Sequence, residues 1–274
     1  GLGPLGISYN GYISEFLVFN SPLTNLQKYQ VEGYLAYKWN FVAYLPLYHP
    51  FSSYTPANFT PLLFDSLQVW MDASNTSSIT LDGNNVTQWN DSSYNQNNAT
   101  LNSSFNNIIR GTQSGLTTLV FNASVMDFAN TNILLSSTNA SLMFLLYLPP
   151  GSITNGSSSP FSNNNYPESF PFTDGNIDTS FGFSSSTDIG PISSGWVIYT
   201  IVASSSSNTT TAYINGVSVF SGTYSNLGYN NTNGWAIGSS KVSSMPMNAT
   251  LAEMMVFNSA LSTNTRILLE GYLA

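Results

Sequence analysis

Apolar residues recur along this chain with two periods. Over most of it they alternate with polar ones in short runs bounded by Asn, Ser, Gly and Asp, the mark of half-buried strands. Leu67-Gln-Val-Trp-Met71 alternates in this way. Ser78–Leu81 and Val86–Trp89 flank Asp82-Gly83-Asn84-Asn85, which predicts a hairpin closed by a Gly-containing turn. Further strands are predicted over 117–122, 141–148, 180–183, 196–203, 209–214, 217–221 and 234–238. Asn215-Gly216 is the strongest hairpin signal, because both residues tolerate the positive φ that a tight hairpin turn requires. Strands spaced every 8–15 residues without intervening helices predict an all-β fold, a two-sheet antiparallel jelly-roll sandwich.

The second period is helical and closes a motif that occurs twice. Residues 13–36 read ISEFLVFNSPLTNLQKYQVEGYLA and residues 251–274 read LAEMMVFNSALSTNTRILLEGYLA; at an offset of 238 they agree at 11 of 24 positions. Each copy predicts a buried strand (Phe16–Phe19, Met254–Phe257), a turn at Asn20-Ser21-Pro22 or Asn258-Ser259, and a short amphipathic helix. Thr24 with Gln27 forms a capping-box pattern; Ser262 takes the Thr24 place, with Thr265 where the Gln stood. Val31, Tyr34, Leu35 and Trp39 share one helical face, and Leu269, Tyr272 and Leu273 repeat its first part. The repetition predicts that the chain opens inside one copy of a domain and closes inside the next. Three parts follow: 1–39, the C-terminal strand and helix of a preceding module or a joining segment; 40–63, a linker rich in Pro and Tyr; and 64–274, a module ending in its own short helix. The first two make an N-terminal strand–helix–linker extension. Four prolines forbid a long helix or central strand in the linker, whose aromatics predict that it packs on a neighbour.

Composition narrows the function. Hydrophobic residues make up 42% and aromatics 14%, enough for a real core, yet charged residues are only 7%. A net charge of −8 with five Lys and Arg gives no basic face for nucleic acid. No apolar run is long enough to span a membrane. There is no cysteine, hence no disulfide and no thiolate metal site. The single histidine, His49, cannot form the clustered ligand set of a zinc site and reads as structural. Scarce Lys and twelve Asn-x-Ser/Thr sequons place the chain at the cell exterior or on a cell or virion surface. The candidate N-glycan acceptors are Asn58, Asn75, Asn85, Asn90, Asn98, Asn102, Asn122, Asn139, Asn155, Asn208, Asn230 and Asn248. Covalent N-glycans there supply the solubility that charge does not.

Three stretches carry a resemblance: LQVWMDASNTSSITLDGNNVTQWNDSSYNQNNAT, the central WVIYTIVASSSSNTTTAYINGVSV, and the closing GWAIGSS with LAEMMVFNSALSTNTRILLEGYLA. They resemble the laminin-G-like branch of the concanavalin A-like lectin/glucanase superfamily, over 64–274 as one module and 1–50 as the tail of a preceding one. The resemblance implies a jelly roll of two antiparallel sheets, and it raises calcium and sugar as ligands. For calcium the loop carboxylates are Asp72, Asp82 and Asp91, with Asp127 and Asp188 further off; Asp72 and Asp91 read equally well as turn caps. For sugar, the aromatic candidates are Trp89, Tyr94, Tyr166, Tyr229 and Trp235, although alternation favours the core for Trp70, Trp89 and Trp196.

Catalysis is not expected. The glucanase relatives need two carboxylates on one strand, and no Glu-x-Asp-x-x-Glu run occurs; Asp174 and Asp178 lie in a polar loop. Glu15, Glu32, Glu253 and Glu270 occupy repeated motif positions and read as strand-end or helix-face contacts. Residues 64–274 hold no histidine for a triad. The leading expectation is a structural subunit or repeat of an extracellular filament or surface array. Its partners are copies of itself, joined head-to-tail through the N-terminal segment, with Phe16, Val18, Phe19, Val31, Tyr34, Leu35 and Trp39 as the assembly face. The alternative is a carbohydrate-binding adhesin module.

Overall fold

The computed structural model describes residues 13–19, 22–23, 25–46, 49, 51–52, 60–130, 132–134, 137–150, 160–163, 166–167, 175–183, 185–227, 234–238 and 247–274. The chain divides into two compact units, Gly1–Asn58 and Phe59–Ala274.

In the first unit the helix α1 spans Asn25–Lys38. The capping residue Thr24, the turn at Asn20-Ser21 and residues 1–12 lie outside the described residues. Residues 16–19, expected as a strand, run without strand structure. A strand exists only through its ladder, and among the described residues no partner strand lies beside this run. The linker packs on its own helix: His49 sits edge-on to Tyr29 at 5.1 Å and 3.2 Å from Glu32 Oε2. Phe51 lies so close to Gly33 that a Cβ there would sit 2.6 Å from its ring, so only glycine fits.

The second unit begins with β1 (Leu67–Asp72), β2 (Ile79–Asp82), β3 (Asn85–Trp89), β4 (Ala99–Leu101), β5 (Ile108–Gln113), β6 (Leu116–Ser124), β7 (Met126–Phe128) and β8 (Asn139–Leu148). It continues with β9 (Ser162–Asn163), β10 (Tyr166–Pro167), β11 (Asn176–Thr179), β12 (Thr187–Pro191), β13 (Gly195–Ser204), β14 (Thr209–Ile214), β15 (Val217–Thr223), β16 (Trp235–Ile237), β17 (Met247–Phe257) and the helix α2 (Thr263–Leu273). All pairings are antiparallel and join 15 strands in one path, β10-β9-β16-β7-β4-β3-β5-β6-β17-β8-β13-β14-β15, with β1 on β17 and β2 on β3. β11 and β12 make a separate ribbon. The fold is the expected antiparallel jelly roll, its layers drawn from one continuous hydrogen-bonded path. Both predicted hairpins form; Asn215 and Gly216 have φ of 49° and 80°. The strand expected over 180–183 is instead a turn that follows β11, because Gly182 takes φ 81° and Phe183 N–H bonds back to Ser180 O.

The middle of the path decides where side chains point. On β8, Leu142, Phe144 and Leu146 enter the core, with Tyr199 and Ile201 of β13. The opposite face is covered by α2, whose Leu268, Leu269 and Leu273 are buried. Ser262 caps this helix through the Thr265 N–H, and Ser141 of β8 pins the turn before it, accepting from Leu261 N–H and donating to Ser259 O. Along β17, Ala249 and Leu251 face the core, then Met254 and Val256, so the alternation slips by one residue. A bulge in the β17–β8 register between Leu251 and Glu253 causes the slip and turns Glu253 away from the core.

Candidate functional site

The bulge delivers Glu253 to the partly covered face where β1, β17 and α2 meet. Trp70 of β1 donates its indole N–H to Glu253 Oε1 at 2.6 Å, and the Trp70 and Tyr272 rings meet edge-on at 6.4 Å. Asp72 lies directly opposite Glu253 in the β1–β17 register. Burial, helped by the Asp72 charge and opposed by the Trp70 and Tyr272 hydrogen bonds, pushes the Glu253 carboxyl up to about 8. Burial likewise pushes the Tyr272 hydroxyl upward. Two residues before Tyr272, Glu270 is buried; it accepts from Thr200 Oγ1 at 2.9 Å and pairs with Arg266 at 2.5 Å. Arg266 in turn lies 3.8 Å above the ring of Tyr213. Burial raises the Glu270 carboxyl, against the pull of Arg266.

The first unit repeats this constellation. Glu15 stands at the Glu253 place, Tyr34 at that of Tyr272, Glu32 at that of Glu270 and Lys28 at that of Arg266. Trp39 donates its indole N–H to Glu15 Oε2 at 2.9 Å, Tyr34 donates to Oε1 at 3.3 Å, and Lys38 lies 3.1 Å from Oε2. The Trp39 hydrogen bond leads in holding the half-buried Glu15 carboxyl below its usual value, with Lys38 and Tyr34 adding. Glu32 bridges Lys28 at 3.8 Å and His49 at 3.2 Å. Beside these groups an open hollow of about 490 Å³ is lined by Ile13, Glu15, Leu35, Trp39, Phe41 and Tyr44, among others.

Glu253, Glu270 and Glu32 thus make strand or helix-face contacts, as their sequence positions suggested, whereas Glu15 lies off any strand and binds side chains at the end of α1. Lys28, Arg266 and Thr200 completed the constellation without having been singled out, and Trp70, expected in the core, reaches Glu253 instead. The basic pair was legible as a shared charge at the 238 offset, four residues ahead of a Glu. Thr200 and Trp70 reach their glutamates through the sheet, which no spacing announces.

The loop carboxylates are scattered. Asp91 is buried and knots its own loop: it accepts from the N–H groups of Trp70, Ser93 and Asn97 and from Ser93 Oγ, at 2.6–2.8 Å. Burial raises its carboxyl, and these hydrogen bonds pull the other way. Asp72 caps Ser74 N–H at 2.8 Å, and Asp82 is exposed in the β2–β3 turn. Asp127 accepts from Asn102 Nδ2, and Asp188 from Asn176 Nδ2 and Gly190 N–H. Asp178 lies opposite Asp188 on the β11–β12 ribbon, and Asp174 falls outside the described residues. Among the described residues no three His, Asp or Glu side chains gather as a metal set.

Of the aromatic candidates, Trp89 and Trp235 are core residues, which removes them as sugar contacts. Trp70 and Trp196, expected in the core, are only half-buried, Trp196 edge-on to Tyr147 at 5.7 Å and Trp70 bound to Glu253, because their side chains leave the core face of their strands; Tyr94 stands exposed on the Asp91 loop. Tyr229 and the Tyr166 side chain lie outside the described residues. So do the sequons at Asn58, Asn155 and Asn230. Asn75, Asn122, Asn208 and Asn248 are exposed, while Asn85, Asn90, Asn98, Asn102 and Asn139 are half-buried.

Residues 136–265 match the Laminin_G_3 family model, described as concanavalin A-like lectin/glucanases superfamily. These residues carry a laminin-G-like module. Solved structures similar to it share the fold at low identity. Domain 4 of AbnA, a GH43 extracellular arabinanase from Geobacillus stearothermophilus solved with arabinotriose, is 18% identical at a TM-score of 0.53, over 74% of this chain and 98% of that one. The binding domain of Paraclostridial Mosquitocidal Protein 1 is 16% identical at 0.54, over 75% of this chain and 52% of its own. The botulinum neurotoxin serotype D/C binding domain is 14% identical at 0.52, over 77% and 53%. The laminin-G-like chain therefore spans about half the length of those toxin domains. No curated protein sequence matches it. No described helix is long and apolar enough to cross a membrane.

Proposed function

We propose that the chain is a non-catalytic repeat of an extracellular, N-glycosylated array of laminin-G-like modules, joined head-to-tail through its N-terminal segment. One contrast carries this reading. Phe16, Leu17, Val18 and Phe19 are 79%, 42%, 77% and 46% exposed, while their counterparts Met254, Met255, Val256 and Phe257 are all 0% exposed. Four adjacent apolar side chains in water are a surface made to be covered. Head-to-tail contact that does not close yields open fibres. Electron microscopy of material from the native source tests it: fibres with an axial repeat of one module support the array, and dispersed single particles at all concentrations overturn it.

The carbohydrate-binding reading, an adhesin module at a cell or virion surface, has its own support. The arabinanase domain is described in complex with arabinotriose, the toxin relatives are described as binding domains, and Tyr94 stands 82% exposed between polar loop residues. An exposed ring beside amide groups suits the apolar face of a sugar. Calcium held by loop carboxylates such as Asp72 or Asp82 belongs to this reading. Glycan-array binding that Tyr94→Ala abolishes and calcium chelation weakens supports it; a silent array overturns it.

A further inference from the structure

We propose that residues 13–36 are the closing strand and helix of a second laminin-G-like sheet, one that lacks its own counterpart of β17 and α2. This rests on the array reading and names the partner of its N-terminal face. The argument comes from what the second copy touches.

In the module, the repeated segment has five neighbouring strands. β17 lies in the sheet paired with β1, β6 and β8, which satisfies its backbone on both edges. Trp70 of β1 reaches the strand glutamate. Thr200 of β13 reaches the helix glutamate. Tyr213 of β14 lies under the helix cation. Residues 13–36 carry the glutamates, the cation and the tyrosine in the same places, yet among the described residues no strand pairs with them.

What replaces that sheet in the first unit shows what is wanted. Trp39 takes the role of Trp70 on Glu15, and His49 takes the role of Thr200 on Glu32. Lys28, whose counterpart Arg266 is buried over a ring, is 62% exposed. The hollow lies beside Glu15 and Leu35, positions that correspond to Glu253 and Leu273. An apolar strand with an indole or similar N–H donor fits it.

The acceptor cannot be the sheet at 64–274 in its complete form, since β17 already fills the slot between β6 and β8. It is therefore a laminin-G-like sheet whose only closing strand is 15–19. The Glu15–Trp39 bond is the form of the segment before that sheet covers it.

A chimera tests the equivalence: the full chain with residues 251–274 replaced by a second copy of residues 13–36. The expected result is a cooperatively unfolding protein in which the grafted Glu15–Phe19 amides exchange at least about a thousandfold more slowly than the same amides near the N-terminus. A folded chimera whose grafted amides exchange freely overturns the proposal. If the chimera does not fold, hydrogen exchange on native assembled protein decides. Protection at 15–19 matching that at 253–257 upholds the proposal, and free exchange sinks it. Fibres without such protection leave the array standing and remove this inference. A folded, protected chimera alongside monomeric native protein does the reverse. Saturable quenching of Trp39 by arabinotriose would assign the hollow to sugar and overturn the proposal.

Discussion

The indole N–H of Trp70 and the Oε1 of Glu253 lie 2.6 Å apart, joining β1 to β17 beneath the C-terminal helix. Neither partner is dispensable to the other. Removing the tryptophan leaves a buried carboxyl with one fewer donor, and removing the carboxyl leaves a buried N–H. The sequence counterpart of Glu253 is Glu15, whose shift runs the opposite way, lowered where Glu253 is raised. The difference is burial, and it makes the pair informative.

Glu253 should make stability fall with rising pH. Its folded value of about 8 exceeds its value in an unfolded chain, so the folded state holds the proton longer. The stabilisation is full below about pH 4.5 and lost as pH rises to about 8. At roughly 1.4 kcal/mol per unit, the loss is on the order of 5 kcal/mol. Glu253→Gln is expected to flatten this slope and to raise the melting temperature at pH 9 while changing little at pH 4.5. Urea titrations at both pH values check it.

Trp70→Phe keeps an aromatic ring and deletes the donor. The expected cost is about 1–3 kcal/mol in urea unfolding. A cycle with Glu253→Met, which deletes the acceptor at similar size, should show a coupling of roughly 0.5–3 kcal/mol, since the two groups share one hydrogen bond. Additive single effects would mean that the bond contributes nothing.

Asp91 gathers three backbone N–H groups and a hydroxyl. Asp91→Ala orphans these donors and is expected to cost about 2–4 kcal/mol, near the top of the range for single changes. A melting temperature unchanged from wild type would contradict the assignment of Asp91 as the knot of this loop.

Gly238 has φ 94°, and a side-chain carbon there would collide with Ser124 O. Gly238→Ala should destabilise by at least about 1–3 kcal/mol. Gly83, also at positive φ but with open space around it, should tolerate alanine with a smaller loss. Thermal melts of the two variants side by side test the ranking.

Asn208 is exposed in the turn between β13 and β14, at φ 53°. If the surface is glycosylated, an N-glycan-removing enzyme should lower the mass of the native protein. Asn208→Gln should then remove one glycan's mass by intact mass spectrometry without disturbing folding.

The strand alternation, the two tight hairpins and the cap at Ser262 were legible in the sequence, because each depends on residues within a few positions of one another. The resemblance in the segments around 67–100 and 251–274 likewise named the right fold. Period-two counting did not find β5, whose Ile108 is buried but whose Ile109 and Arg110 are exposed, nor the three-residue strands β4 and β7. Such short segments become strands only when long-range partners complete their ladders. The same dependence separates the two copies of the motif: identical residues such as Val18 and Val256 are an exposed irregular run in one and a central strand in the other. Sequence alone determined that these segments carry the same strand-and-helix pattern with matching charges at 15, 28 and 32. Only the tertiary structure decided which copy is covered, and it placed Glu253 outside the core through a single bulge. Backbone hydrogen bonds and burial belong to the partner strand as much as to the residue itself.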